Sequence, residues 1–407
     1  MAEPRPGEWR RGWRVLAASG LSLGCGANLH YYVSTFFVAG ITAEFAISRG
    51  QLASIQAMAL WGVLAAPAAG YLVDRFGARR VLTLGAATLG GVYLFAANMP
   101  ARLWALFLAF LAIQALGQAT ATVPHTRVIS TWFKQNRGAA LGIAITGTPL
   151  LAALVPPALA ALIAAGGWRT GYYLLAGLAL LIALPLNRLV VRERHVSDNE
   201  VEGTGATKPF AGADLRTAVR TRPFWLLIAA MVLINVPGGG FLNQLVPLLT
   251  DAGVTAGTAA LMVSIFSFSV IAGRLASGFL LDRVSPALAA AGFTLAPAGG
   301  MAILLLSPTP EITSVGLGVA LIGLQQGAEI DLLAFFIARH FGLRRYSSIY
   351  AVGYAVATIA TSFGLLAFGV SHDLTGGYGA ALAFSILTFL LGAACFAALQ
   401  AQPVHQE

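Results

Sequence analysis

The sequence predicts an all-α membrane protein in which twelve transmembrane helices form two six-helix bundles. Composition is the first reason. Of 407 residues, 57% are apolar and only 10% charged, with mean hydropathy +0.77, whereas soluble domains carry about 25% charge. The second reason is length: about twelve apolar stretches reach the roughly 20 residues needed to span. The third is an internal repeat. Gly70, Leu72, Asp74 and Arg75 return as Gly278, Leu280, Asp282 and Arg283, Phe133 and Arg137 as Phe341 and Arg345, and Gln118 as Gln326, all at an offset of 208 residues. Gly166-Gly167-Trp168 is echoed by Gly376-Gly377-Tyr378 at 210. Parallel repeats of this kind make a transporter architecture with its site between the halves.

The expected order is a cytoplasmic N-tail (1–12), a first bundle (13–190), a cytoplasmic linker (191–222), a second bundle (223–402) and a C-tail (403–407). The spans fall at 14–39, 51–73, 80–99, 102–127, 138–164, 168–190, 224–249, 255–281, 286–307, 313–338, 346–370 and 379–400. The first carries Asn28, His30, Tyr31 and Tyr32, and the fourth Gln114, Gln118 and His125. In the seventh, Pro237-Gly238-Gly239-Gly240 should soften or break the helix, with Asn243 and Gln244 following. Backbone groups freed at that depth are tolerated only inside protein or facing a cavity. The linker is polar, with room for a short surface helix, and too short to bury a core of its own. Cys25 and Cys395 sit in the first and last spans and read as packing residues, not a disulfide or metal pair. No cleavable signal is expected, since 1–12 is polar and the first apolar stretch is long enough to stay in the membrane.

The net charge of +9 is distributed by side. Arg10, Arg11, Arg14, Arg75, Arg79, Arg80, Lys134, Arg137, Arg192, Arg194, Arg339, Arg344 and Arg345 fall on one face, and Arg49, Arg102 and Arg169 on the other. This is the positive-inside bias, which puts both termini in the cytoplasm. The basic balance therefore reports orientation, and no nucleic-acid partner is expected.

Arg274 stands alone in SIFSFSVIAGRLASGFLLDR, the eighth span. It lies eight residues before Asp282, roughly 12 Å deep at the helical rise, in a core about 30 Å thick. A cation there costs several kcal/mol unless it faces protein, water or a ligand. It calls for an organic anion. Glu329 and Asp331, ten and eight residues before Arg339 in the tenth span, match its depth. Residues two apart face different ways on a helix, so one of them should face Arg274. Such a set can be a static ion pair, or a switch in which substrate or a proton replaces the pair. His30 could donate to an anion or titrate near neutral pH. Tyr350 and Tyr354 could offer hydroxyls to a carboxylate, or pack.

GYLVDRFGARR (70–80) resembles the loop 2–3 motif of the major facilitator superfamily, and GFLLDR (278–283) its weaker second copy. The resemblance covers the whole chain and implies the major facilitator fold. WFKQNRGAALGIAITG (132–147) resembles the entry to helix 5 in monocarboxylate porters and oxalate/formate exchangers, a group in which an arginine in helix 8 is typical; Arg274 holds that place. Two positions differ. Val270 stands where some proton symporters carry an acidic residue, and the eleventh span lacks the lysine of the oxalate exchangers. One cation in place of two favours a monoanion.

The resemblance implies a secondary carrier for a small organic anion, above all a monocarboxylate, working by alternating access with proton symport. An oxalate/formate-type exchanger or an efflux carrier for lipophilic compounds is the alternative. The implied substrate contacts are Arg274, His30, Tyr31, Gln114, Asn243 and Tyr354, with Glu329 or Asp331 as proton carrier. Gly70, Asp74, Arg75, Arg79, Arg137, Gly278, Asp282, Arg283 and Arg345 would form a cytoplasmic latch, the glycines permitting close helix approach; the same charges could simply set topology. No P-loop, paired His/Glu metal motif or nucleophile elbow is present. The expectation is a monomeric, integral protein of a bacterial inner membrane, in contact with lipid and with no cofactor, and not an enzyme.

Overall fold

The computed structural model describes residues 7–133, 137–193, 214–281, 283–307, 311–342 and 346–400. Helices account for almost all of them. The chain divides into two compact units, Met1–Ala46 with Met58–Thr204, and Ile47–Ala57 with Gly205–Glu407. The start of the second span thus packs with the second unit, although the sequence groups it with the first bundle.

The first span departs most from the expected continuous helices. It runs as Glu8–Gly24, then Ala27–Val33, a 3-10 turn at Ser34–Phe37, and Val38–Phe45. Eleven further helices among the described residues are long and apolar enough to cross a membrane: Arg49–Phe76, Ala78–Asn98, Leu103–Trp132, Ala139–Gly166, Trp168–Leu189, Arg222–Asp251, Ala256–Leu281, Pro286–Leu306, Ile312–Phe341, Ile349–Thr375 and Gly379–Leu399. They are the second to twelfth spans. In the linker only a short helix, Leu215–Ala218, is described; the Asp214 carboxylate caps it by accepting from Thr217 N at 2.7 Å.

The break in the first span has a partner. The fourth span also deviates, through a 3-10 turn at Gln118–Thr120 and an extended Ala121. Pro124 explains it. Proline cannot donate to the carbonyl four residues back and its ring displaces that carbonyl, which here is Thr120 O. The displaced carbonyl lies against Gly26, where an added Cβ would sit only 2.8 Å from it. Thr120 Oγ1 accepts from Ala27 N at 3.2 Å and donates to Gly117 O at 2.8 Å. The hydroxyl at the fourth-span break therefore satisfies a backbone N–H at the break in the first span.

The seventh span corrects the sequence reading. Arg222–Asp251 is a single 30-residue helix through Pro237 and the three glycines. Gly239 and Gly240 are used for contact: a Cβ at either would collide with the eleventh span, at Thr361 or at Gly364 and Phe368. Both repeated glycine pairs mark turns, although the residue with positive φ is the second of one pair and the first of the other. Gly167 and Gly376 both take positive φ, 79° and 73°, a region glycine enters at no steric cost.

Candidate functional site

The eighth and tenth spans approach closely because glycines face backbone. A Cβ at Gly273 would strike the Leu324 carbonyl, and one at Gly327 the Val270 carbonyl. This contact sets Arg274 beside the tenth span. Its Nε lies 4.0 Å from Asp331 Oδ2, beyond hydrogen-bond distance, and that Nε is buried without a hydrogen-bond partner. Asp331 Oδ2 instead accepts from Ser277 Oγ at 2.9 Å. The same hydroxyl is 2.9 Å from the Arg274 carbonyl, so its single hydrogen is shared. Arg274 thus has a counter-charge nearby that does not saturate it.

Glu329 faces another way, as a two-residue offset requires. It is 6% exposed and accepts from Gln326 Nε2 at 2.6 Å. A second hydrogen bond joins it to the Asn235 side chain of the seventh span, and it lies within electrostatic reach of Arg274. Asn235 Oδ1 in turn accepts from Thr361 Oγ1 of the eleventh span at 3.3 Å. The second unit therefore assembles Arg274, Asp331, Ser277, Glu329, Gln326, Asn235 and Thr361 from four spans into one polar cluster. Tyr354 interacts electrostatically with Glu329 and stacks on Tyr350 with ring centroids 6.4 Å apart.

Sequence reasoning missed Asn235, Ser277 and Thr361. A signal existed for Ser277, which is one turn after Arg274 on the same face. None existed for Asn235 or Thr361, which resemble the many polar residues that merely bond their own helix; Asn235 Nδ2 does that too, to Met231 O at 2.9 Å.

The other expected contacts have surroundings of their own. Asn243 sits eight residues before the end of the seventh span, roughly 15 Å from the level of Arg274 along the helices. It accepts from Gln244 Nε2 at 3.2 Å, and Gln244 accepts from Tyr378 OH at 2.8 Å. Arg49 donates to Tyr378 OH at 2.6 Å and forks onto Asp251 at 2.5 and 2.9 Å. Asp373 completes this second network by accepting from Ser48 Oγ and Gly50 N at 2.5 and 2.9 Å. In the first unit, His30 is enclosed among Phe37, Tyr93, Phe110 and Tyr172 rings, with Nε2 3.2 Å from Tyr172 OH. This imidazole is walled in by rings and only 5% exposed, within the core of the first unit. Tyr31 packs edge-on against Tyr32. Gln114 is half-buried, and its carbonyl accepts from Gln118 Nε2 at 3.0 Å.

The latch residues are partly redistributed. Asp74 pairs with Arg127, which also binds Glu193 at 2.8 Å; neither partner was anticipated. Arg79 donates to the Arg188 carbonyl. Arg75 reaches Tyr71 OH at 3.3 Å, and Arg283 lies 3.5 Å over the Phe279 ring. Gly70 and Gly278 do not mediate close approach here, because a Cβ at either meets nothing within 4 Å. The face each presents is unpacked. Asp282 and Arg345 lie outside the described residues, as does the side chain of Arg137.

A helical bundle with a partly compensated cation and a buried carboxylate at mid-span is an arrangement that membrane carriers use. The chain belongs to the Major Facilitator Superfamily, whose family model matches residues 20–365, and it is a secondary transporter, not an enzyme. Monocarboxylate transporter 13 of Bos taurus is 27% identical over 420 residues, covering 99% of this chain and 94% of that protein. Monocarboxylate transporter 11 of Mus musculus is 28% identical, covering 96% and 79%. The structure of a bacterial homolog to the human lysosomal transporter Spinster, inward-facing and unoccupied, matches with TM-score 0.75 at 19% identity over 98% of both chains, which speaks for the fold alone.

Proposed function

We propose that this carrier moves a small organic anion, a monocarboxylate foremost, by alternating access, with a proton travelling alongside it. One observation carries the reading: Arg274 Nε is buried and makes no hydrogen bond, while Asp331 stands 4.0 Å off. A guanidinium held this way has donors left for a carboxylate, which it binds in a planar fork. A single cation fits a monoanion. The names of the two mammalian relatives point the same way.

Glu329 is the proton carrier in this reading. Its donors, Gln326 and Asn235, hold the charged form, and protonation would release them. Asp331 competes with substrate for Arg274 and replaces it when the carrier is empty, so that the cation never crosses uncompensated. The basic loops set both termini in the cytoplasm, in a bacterial inner membrane, and the chain acts as a monomer.

The test is uptake of labelled monocarboxylates into proteoliposomes under an imposed inward-directed proton gradient. Wild type should show saturable uptake that collapses with the gradient, and Arg274→Ala should show none. Equal uptake by the mutant would reject Arg274 as the anion site.

A further inference from the structure

In the second unit the spans around the Arg274 cluster are zipped in pairs. The seventh runs along the eleventh and the eighth along the tenth, whereas the seventh and tenth touch at few places. In each pair a glycine receives a backbone carbonyl where a Cβ would collide: Gly364 receives Val236 O, and Gly327 receives Val270 O. Packing this close leaves no slack, so a displacement of one helix is passed to its mate.

Asn235 and Glu329 stand beside these two points. Asn235 precedes Val236, and Glu329 follows Gly327 by two residues. Both are buried. The hydrogen bond between their side chains runs from one pair to the other. A charged carboxylate can only accept, so Asn235 Nδ2, with two hydrogens, is the donor. The remaining bonds of the Asn235 amide stay within its own pair: Nδ2 donates to Met231 O at 2.9 Å, and Oδ1 accepts from Thr361 Oγ1 at 3.3 Å. Gln326, the other donor to Glu329, lies on the same helix as the carboxylate. The charged and titratable groups within reach of Glu329, among the described residues, are Arg274 of the eighth span and Tyr354 of the eleventh. The seventh span presents the neutral Asn235.

A proton on Glu329 therefore acts on the bond that crosses between the pairs. A hydrogen bond to a carboxylate is roughly twice as strong as one to a neutral group. Asn235 keeps its two bonds within the seventh–eleventh pair and stays with it when the crossing bond weakens.

We infer that Asn235 is a positioning residue for proton coupling: it fastens the seventh–eleventh pair to the eighth–tenth pair while Glu329 is charged, and lets the pairs part when Glu329 takes up a proton. The inference rests on the reading of Glu329 as proton carrier and adds the step that turns a proton on one side chain into movement of whole helices. Both ends of the bond are mounted at close backbone contacts, so its loss is felt by the helices and not absorbed by the side chains.

Hydrogen–deuterium exchange of the purified full-length protein in nanodiscs tests this. It is read by mass spectrometry on peptides of the seventh and tenth spans at acidic and alkaline pH, corrected for intrinsic exchange. In wild type, acid should speed exchange around Asn235 and Glu329 about fivefold, the difference between a bond to a charged acceptor and one to a neutral acceptor. Glu329→Gln, which fixes the side chain in a neutral form, should exchange fast at both pH values. Asn235→Leu, close in volume, should do the same, and the double variant should match either single one. A purely structural role for Asn235 would instead raise exchange on top of an intact acid response. An acid response retained in either single variant, additive increases in the double variant, or slow wild-type exchange in Glu329→Gln would each overturn the inference. Failure of the proton-carrier reading looks different: wild type lacks an acid response while both single variants and the double variant exchange equally fast. That result supports the Asn235–Glu329 joint and rejects Glu329 as the group that takes up the proton.

Discussion

At the scale of single residues, the second unit separates two carboxylates that lie two positions apart. Asp331 sees Ser277 and Arg274, and Glu329 sees Gln326 and Asn235. Different surroundings imply different losses on neutralisation. Glu329→Gln is predicted to abolish accumulation driven by a proton gradient while exchange of labelled for unlabelled substrate persists; loss of both, in a folded protein, would give Glu329 a structural role. Asp331→Asn removes the competitor for Arg274. Apparent affinity should rise by up to about fivefold, the equivalent of about 1 kcal/mol for a partly exposed pair, while net uptake slows because the empty carrier must move an uncompensated cation. Equal or weaker affinity in that variant would show that Asp331 orients Arg274 and does not compete. Charges in apolar spans are conspicuous, which is why Arg274, Glu329 and Asp331 were legible in the sequence. Their hydrogen-bond partners were not, because Asn and Thr occur along spans for many reasons and only tertiary contact selects Asn235 and Thr361.

At the scale of helices, glycine proved ambiguous. The run at Gly238 to Gly240 reads as a break, yet it lies in an intact helix and serves as a contact surface. The real breaks, at Gly26 and Ala121, come from Pro124 pushing a carbonyl that only glycine can receive. The repeat misleads here: Leu332 and Ala328 stand where Pro124 and Thr120 do in the first half, so the tenth span stays straight. Gln118 likewise bonds its own helix while its counterpart Gln326 holds Glu329. Two substitutions separate packing from conformational roles. Gly327→Leu drives a side chain into the Val270 carbonyl and should destabilise by about 1–3 kcal/mol, as overpacking does, with a lower Tm. Gly278→Ala meets nothing and should change stability by less than about 1 kcal/mol in either direction. If another conformation packs this face, as the latch motif predicts, the same variant slows transport; unchanged Tm and unchanged rate would reduce Gly278 to a motif residue without a packing role.

At the scale of the whole molecule, hydropathy and the repeat made the fold legible, but not the grouping of 47–57 with the second unit. That grouping rests on Arg49, Ser48 and Gly50 meeting Asp251, Asp373 and Tyr378, polar contacts between span ends that no periodicity encodes. The proposed orientation rests on charge alone, and a C-terminal fusion checks it: green fluorescent protein should fluoresce there and alkaline phosphatase should be inactive, with the opposite pair of results contradicting cytoplasmic termini. The central claim is that Arg274 holds the carboxylate of the substrate. Saturation-transfer NMR on purified wild type and Arg274→Ala, with a small monocarboxylate as ligand and a second monocarboxylate as competitor, reads weak binding without requiring turnover. The account predicts a signal in wild type that the competitor removes and that is absent from the folded mutant. A competable signal of equal strength in Arg274→Ala would contradict it.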